Sequence, residues 1–226
     1  MKCTFYGHAC FSIEYNGKTL LFDPFISANE LASDINIDEI KADYILLSHG
    51  HQDHILDCKR IAKNNDATVI STYEIVSYFG EKGIKGHPMN TGGKWQFDFG
   101  EVKLTNAVHT SSYPDGSYAG CAVGFILSGG SKTLYYAGDT ALTMDMKLIP
   151  MTSSKLDYAF LPIGDNFTMG YEDAAIASDF VECNNIIAMH FDTFGYIKVD
   201  KSEIIEYYKT RDKNITFLDI NESIDL

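Results

Sequence analysis

A short apolar run, Tyr44-Ile45-Leu46-Leu47, reads as a buried strand and ends directly in Ser48-His49-Gly50-His51-Gln52-Asp53-His54. No other segment constrains the fold so tightly. Three imidazoles and a carboxylate at the end of one strand require a rim where that strand and its neighbours bring side chains to a common point. Three neutral imidazole nitrogens can hold Zn²⁺ or a similar ion and leave a coordination position open for water. A single histidine here would read as a packed or solvated side chain. Four such groups in succession read as a metal site.

The remaining composition narrows the classes. A length of 226 residues suits one layered domain, taken here as 1–226. The 45% hydrophobic content is enough for a sizeable core, and no apolar run approaches the roughly 20 residues of a membrane span. The opening Met1-Lys2-Cys3-Thr4-Phe5-Tyr6-Gly7-His8 lacks the apolar stretch of a secretory signal, so a cytoplasmic location is expected. The five cysteines (Cys3, Cys10, Cys58, Cys121, Cys183) are odd in number and contain no C-x-x-C pair. They read as small buried hydrophobes, not as disulfides or a Cys₄ zinc site. A net charge of −13 with no Lys/Arg stripe argues against a nucleic-acid partner. A small anionic substrate remains compatible, because metal ions supply their own positive field.

Apolar alternation and turn residues predict strands over 4–5, 10–15 and 19–23, with Asn16-Gly17 as a hairpin turn between the last two. A helix over 57–64, a strand over 67–71 and a helix over 72–79 follow the histidine cluster. A second meander is expected over 94–99, 102–108, 120–127 and 133–137. Strands over 157–162 and 186–189 then alternate with helices over 172–182 and 202–209, and 214–218 is the expected closing strand. Two strand-rich halves, each ending in strand–helix alternation, suggest two sheets packed face to face and covered by helices.

Three more metal-ligand residue types stand where strands end: His109 after the 102–108 run, Asp139 after Leu134-Tyr135-Tyr136-Ala137-Gly138, and His190 after Ile186-Ile187-Ala188-Met189. Taken singly, Asp139 is the N-cap of a helix starting near Ala141, His109 and His190 are rim histidines, and Asp53 caps the helix that follows it. Taken with the first cluster, they read as ligands.

With these residues in view, the chain resembles the metallo-β-lactamase-fold hydrolases over essentially its whole length. The hallmark H-x-H-x-D-H stands as His49-Gly50-His51-Gln52-Asp53-His54, and the downstream His, bridging Asp and final His match His109, Asp139 and His190. A subgroup of small bacterial and archaeal metal-dependent hydrolases is similar in further features: Gly7-His8-Ala9, Phe22-Asp23-Pro24, and the stretch from Leu161 to Gly170. That subgroup is related to ascorbate-6-phosphate lactonase and to the phospholipase D acting on N-acyl phosphatidylethanolamines. The chain departs from it at Ala188-Met189-His190-Phe191, where Pro-Met-His-Tyr is common; the ligand is kept, and an altered pocket wall is the expectation.

The resemblance implies an α+β fold, a four-layer αββα sandwich of two mixed β-sheets flanked by helices. It implies two divalent cations: His49, His51 and His109 on one, Asp53, His54 and His190 on the other, and Asp139 bridging. Zinc is the expected ion, with manganese or iron able to occupy the same donor set. The chemistry implied is attack by a metal-bound hydroxide on an ester, lactone, amide or phosphodiester of a small molecule or lipid headgroup. Asp53 and Asp139 are the catalytic carboxylates, Asp53 orienting the nucleophile or carrying a proton. Asp23 is either a turn residue or, as the family implies, a carboxylate orienting a ligand histidine. His8 stays open between rim histidine, ligand support and substrate contact. Asp165 and Thr168 are either loop and cap residues or part of the pocket border. The aromatics over 113–118, 165–170 and 191–196 are candidates for a pocket wall or a homo-oligomer interface.

The competing readings are a non-catalytic metal-binding sensor or scaffold, which should have lost ligands, and a nuclease, which needs a basic surface. A diiron oxidoreductase of this fold would carry an acidic residue in place of His51 and an attached flavin domain.

Overall fold

The Asn16-Gly17 turn folds β2 (Cys10–Tyr15) back on β3 (Lys18–Phe22), with Tyr15 paired to Lys18, in the computed structural model, which describes residues 1–226. With β1 (Lys2–Gly7) these strands form an antiparallel meander. From β3 the sheet continues in parallel through β4 (Tyr44–Leu46), β5 (Thr68–Thr72) and β6 (Gly86–Met89). The second sheet repeats the scheme. Here β7 (Lys94–Gln96), β8 (Glu101–Asn106), β9 (Val123–Ser128) and β10 (Leu134–Tyr136) are antiparallel. Then β11 (Tyr158–Pro162), β12 (Asn185–Met189) and β13 (Asn214–Thr216) run parallel to β10. The last strand, β14 (Ser223–Asp225), returns to pair with β1, so each sheet has seven strands.

Period-two alternation sorts the side chains between layers. Leu20, Phe22 and Leu46 join Phe11, Phe125, Tyr136 and Phe160 between the sheets, in a cluster of 42 buried residues that also extends to the helices over the second sheet. The intervening Leu21, Ile45 and Leu47 point the other way, into a cluster of 20 buried residues. That cluster seals the first sheet under α1 (Gln52–Ile55), α2 (Cys58–Asn65) and α3 (Tyr73–Gly80). Past α4 (Ile149–Thr152), α5 (Tyr171–Phe180) and α6 (Lys201–Lys209) cover the second sheet through Ala174, Ala177, Ile204 and Tyr208. The order is therefore α-β-β-α, as the resemblance implies. No helix is long and apolar enough to cross a membrane.

Several sequence expectations are corrected. β6 was not expected because Pro88 interrupts its pattern; it lies at a sheet edge, where a missing N–H is tolerated. The 214–218 strand stops at Thr216, and β14, too short and polar to signal itself, closes the first sheet instead. The 94–99, 102–108 and 120–127 strands are shorter than expected, because residues near the rim leave the ladder to form loops. No helix begins near Ala141: a 3₁₀ turn at Met144–Leu148 is capped by Thr143, so Asp139 caps nothing.

Candidate metal centre

Every residue of the proposed ligand set leaves its sheet at the same rim. His8 follows β1, Asp23 follows β3 and His49 lies just beyond β4. From the second sheet, His109 lies beyond β8, Asp139 beyond β10 and His190 directly after β12. Six of the seven histidines in the chain converge there; the seventh, His87, packs between the rings of Trp95 and Phe97. At this rim His8, Asp23 and His190 take φ of 57°, 39° and 57°. Left-handed backbone is uncommon outside glycine and here turns the chain sharply, so that the side chains face inward.

Ser48 fastens the principal loop. Its N–H donates to Asp23 Oδ1 (2.7 Å), and its carbonyl accepts from Val123 N in the opposite sheet (3.0 Å). Gly50 is required by space, since a Cβ there would stand 2.3 Å from the Ala119 Cβ. His51 is still extended (φ −64°, ψ 148°), and the helical turn of α1 starts at Gln52. That switch divides the ligands: His49 and His51 reach one way, Asp53 and His54 the other.

Three clusters of ligand-type atoms result. His49, His51 and His109 form the first; Asp53, His54 and His190, joined by His8, form the second; Asp23, His49 and His54, fully buried, form a third that links the other two from behind. His49 Nε2 lies 2.9 Å from His51 Nδ1. Asp139 Oδ2 stands between the groups, 3.6 and 4.0 Å from Nε2 of His109 and His49, and 3.0 and 3.3 Å from Nε2 of His190 and His54.

The supporting hydrogen bonds set the tautomers. Asp23 is fully buried, and its Oδ2 accepts from the Ser48 hydroxyl (2.6 Å) and from His54 Nδ1 (2.9 Å). The Tyr136 hydroxyl lies 2.8 Å from the same oxygen. With its proton committed to Asp23, the Ser48 hydroxyl accepts from His49 Nδ1 at 2.9 Å. Both His49 and His54 therefore turn an Nε2 lone pair toward the centre. On the other side His8 Nε2 lies 3.1 Å from Asp53 Oδ2, and His8 Nδ1 lies 3.0 Å from Thr193 Oγ1. The His8 carbonyl also accepts from His190 N at 2.7 Å.

The donor set fits divalent cations. His54 Nε2 and Asp139 Oδ1 are buried without a hydrogen-bond partner, which is costly unless another group satisfies them. Electrostatics point the same way. Burial and the neighbouring His54 charge push His49 well below the usual histidine range, and burial lowers His51 and His109. Burial and the adjacent His190 bring His8 down to about 4. Burial also disfavours protonated His54, but Asp139, Asp23 and Asp53 outweigh it and raise this histidine well above its ordinary value. Burial opposes ionisation of Asp139 and Asp53, yet the histidine charges hold both carboxyls well below the usual range. Negative charge that draws a proton onto His54 also draws a divalent cation.

A cavity of about 890 Å³ opens over His51, Asp53, His109, Asp139 and His190. Of the candidate border residues, Asp165 and Thr168 do not line it. Asp165 belongs to a turn closed by a Gly164–Gly170 bridge and faces a separate cavity of about 240 Å³, while the Thr168 hydroxyl donates to the Met169 carbonyl. Phe167 from that loop does line the main cavity, as do Phe194 and Tyr196, whereas Tyr113 stacks on Tyr78 away from it. Sequence reasoning missed Tyr136, Thr193 and Glu30. Tyr136 stands three residues before Asp139 on an apolar strand, and nothing in its spacing marks the hydroxyl.

The family model described as β-lactamase superfamily domain matches residues 2–190. A protein of Flavobacterium johnsoniae named metal-dependent hydrolase is 56% identical over 226 residues, covering all of both chains. One of the same name from Bacillus cytotoxicus is 44% identical over 231 residues, again end to end. Among solved structures, a metallo hydrolase from Ignicoccus hospitalis superposes with a TM-score of 0.89 at 30% identity, covering 99% of this chain and 97% of that one.

Proposed function

The chain belongs to the β-lactamase superfamily and is a metal-dependent hydrolase, and from that membership and the geometry of the centre we propose that it works with two divalent cations bridged by Asp139. The reaction is hydrolysis of an ester, lactone or phosphodiester in a small molecule. The observation that carries this reading is the position of Asp139 Oδ2, within 4.0 Å of four imidazole nitrogens, two from each group. His49, His51 and His109 would hold one cation, Asp53, His54 and His190 the other. Zinc suits this N/O set, and manganese or iron can replace it. When bound, the two ions supply an activated water and polarise the substrate oxygen.

The protein's own groups divide the remaining tasks. Asp53 has a side chain 27% exposed, against 3% for Asp139, so Asp53 is the carboxylate a water in the cavity can reach. It takes the proton of the attacking water, with His8 fixing its orientation. Asp139 is confined to binding. A cysteine nucleophile has no support: Cys3, Cys10, Cys58 and Cys183 are buried, and burial pushes the Cys3 thiol up to about 12. The fifth, exposed Cys121, does not line the cavity.

The test joins metal content to turnover. Protein loaded separately with zinc, manganese or iron should hold two ions per chain and hydrolyse members of a panel of lactones, esters and phosphodiesters. His49→Ala should lower the metal content and abolish hydrolysis while circular dichroism stays native. Two retained ions in that variant, or no hydrolysis by protein carrying both ions, would remove the reading.

A further inference from the structure

Four aromatic rings and no cationic side chain line the cavity over the metal centre. Phe25 and Phe194 lie at its base, with ring centroids 5.7 and 5.3 Å from His8. Phe167 and Tyr196 meet edge to face at 6.2 Å, and they are 49% and 78% exposed. Exposure therefore rises from the base to the mouth, as it would along a path for a flat apolar group. Phe25 is held in place from behind: the buried Asp57 carboxylate accepts from Ile26 N, Ser27 N and the Ser27 hydroxyl, locking the segment after Pro24.

The charges along this path have one sign. Apart from the ligand residues the only lining side chain that is charged at neutral pH is Glu30, which is exposed and pairs with no lysine or arginine. The lysines that follow Tyr196 are turned elsewhere: Lys198 lines a different cavity and Lys201 lies 3.9 Å from Asp192. A substrate arm bearing phosphate, sulfonate or carboxylate would find no lysine or arginine here and would face Glu30. Sites that select such groups present Arg, Lys or backbone N–H donors.

We propose that this cavity selects hydrolysable substrates whose non-reacting arm is aromatic or similarly flat and apolar and carries no negative charge, with Glu30 as the residue that rejects anionic arms. The proposal rests on the hydrolase reading for the bond cut, but the arm site is a separate property of Phe25, Phe167, Phe194, Tyr196 and Glu30.

Three matched esters test it: 2-naphthyl acetate, its 6-sulfonate and its 6-trimethylammonium derivative, together with the three corresponding naphthols as non-hydrolysable probes. Binding of the naphthols to metal-loaded protein is followed by ligand-observed NMR, and hydrolysis of the esters by naphthol release. The neutral and cationic naphthols should bind about tenfold or more tightly than the sulfonate, as expected for one unpaired like charge near a low-dielectric wall. Kcat/KM for the esters should follow the same order. Phe167→Ala and Tyr196→Ala should weaken neutral naphthol by about fivefold each, the scale of a lost aromatic contact. Glu30→Lys should reverse the charge order. Equal or tighter sulfonate binding, or binding unchanged in both aromatic variants, overturns the arm site even if all three esters are cleaved. The expected binding order with no ester cleaved leaves the arm site standing and counts against the hydrolase reading.

Discussion

The two ligand groups sit side by side but are built differently. The first is three imidazoles with no carboxylate of its own, and His51 and His109 are open to the cavity. The second combines Asp53 with buried His54 and His190 and lies against a third imidazole, His8. Their anchors differ too. His49 is steered by a neutral hydroxyl from Ser48, whereas His54 donates to Asp23, an ionisable carboxylate that also receives two donors from Ser48. One group is all imidazole, and the other sets imidazoles against the carboxylates that draw positive charge onto His54. Asp139 Oδ2 stands between them.

That contrast can be broken most severely at the shared residue. Asp139→Ala should lower kcat/KM by about a thousandfold or more and reduce the affinity of both groups, read as metal per chain and initial rate. Loss of one ion only would show that Asp139 belongs to a single group.

Asp23→Asn acts more strongly on one side, because Asp23 meets His54 directly and His49 only through the Ser48 hydroxyl. Weakening the anchor of His54 should cost the second group about ten- to a hundredfold in metal affinity, the usual effect of losing such a support. Competition titration against a chromophoric chelator should show a smaller loss at the first group, which Asp23 reaches only through Ser48.

Acidification should separate the groups further. Against the effect of burial, Asp139, Asp23 and Asp53 hold His54 well above its ordinary value, so on acidification a proton competes with a cation there first. Affinity at the second group should therefore fall by about tenfold for each pH unit below that raised value. His49, His51 and His109 are shifted down and stay neutral until the pH drops below the ordinary histidine range, so affinity at the first group holds through neutrality. Calorimetry in buffers of different ionisation heat should record proton release for the second ion alone.

The smallest effect belongs to His8. His8→Ala should lower kcat by about tenfold with KM little changed, because Asp53 loses the partner that orients it. In His8→Gln a side-chain N–H can again reach Asp53, and it should recover most of that loss. If Gln behaves as Ala does, His8 acts only by packing.

Much of the centre was legible in the primary structure because metal ligation leaves a chemical mark. His49, His51, Asp53 and His54 are contiguous, and His109, Asp139 and His190 each follow an apolar run, so the rim they share could be anticipated from strand ends. Asp23 before Pro24 carried a similar hint. Tyr136 and Ser48 carried none, since a hydroxyl on an apolar strand or at its end has no periodicity of its own. Asp165 and Thr168 looked equally polar and equally near a glycine-bounded loop. Their side chains turn into local hydrogen bonds and a separate cavity, while the neighbouring Phe167 reaches the main one.

By itself the sequence determined the donor chemistry and the alternation that sorts Leu20 and Phe22 from Leu21. Those are properties of residue type and of the side-chain periods of strand and helix. Only the tertiary structure decided that Asp139 Oδ2 stands between both histidine groups, that His8 reaches Asp53, and that the cavity wall is aromatic and without a cation. These depend on how strand ends are set side by side within and between the two sheets, where His49 and Asp139 meet across 90 positions and His8 and Asp53 across 45, and no local pattern encodes such a distance.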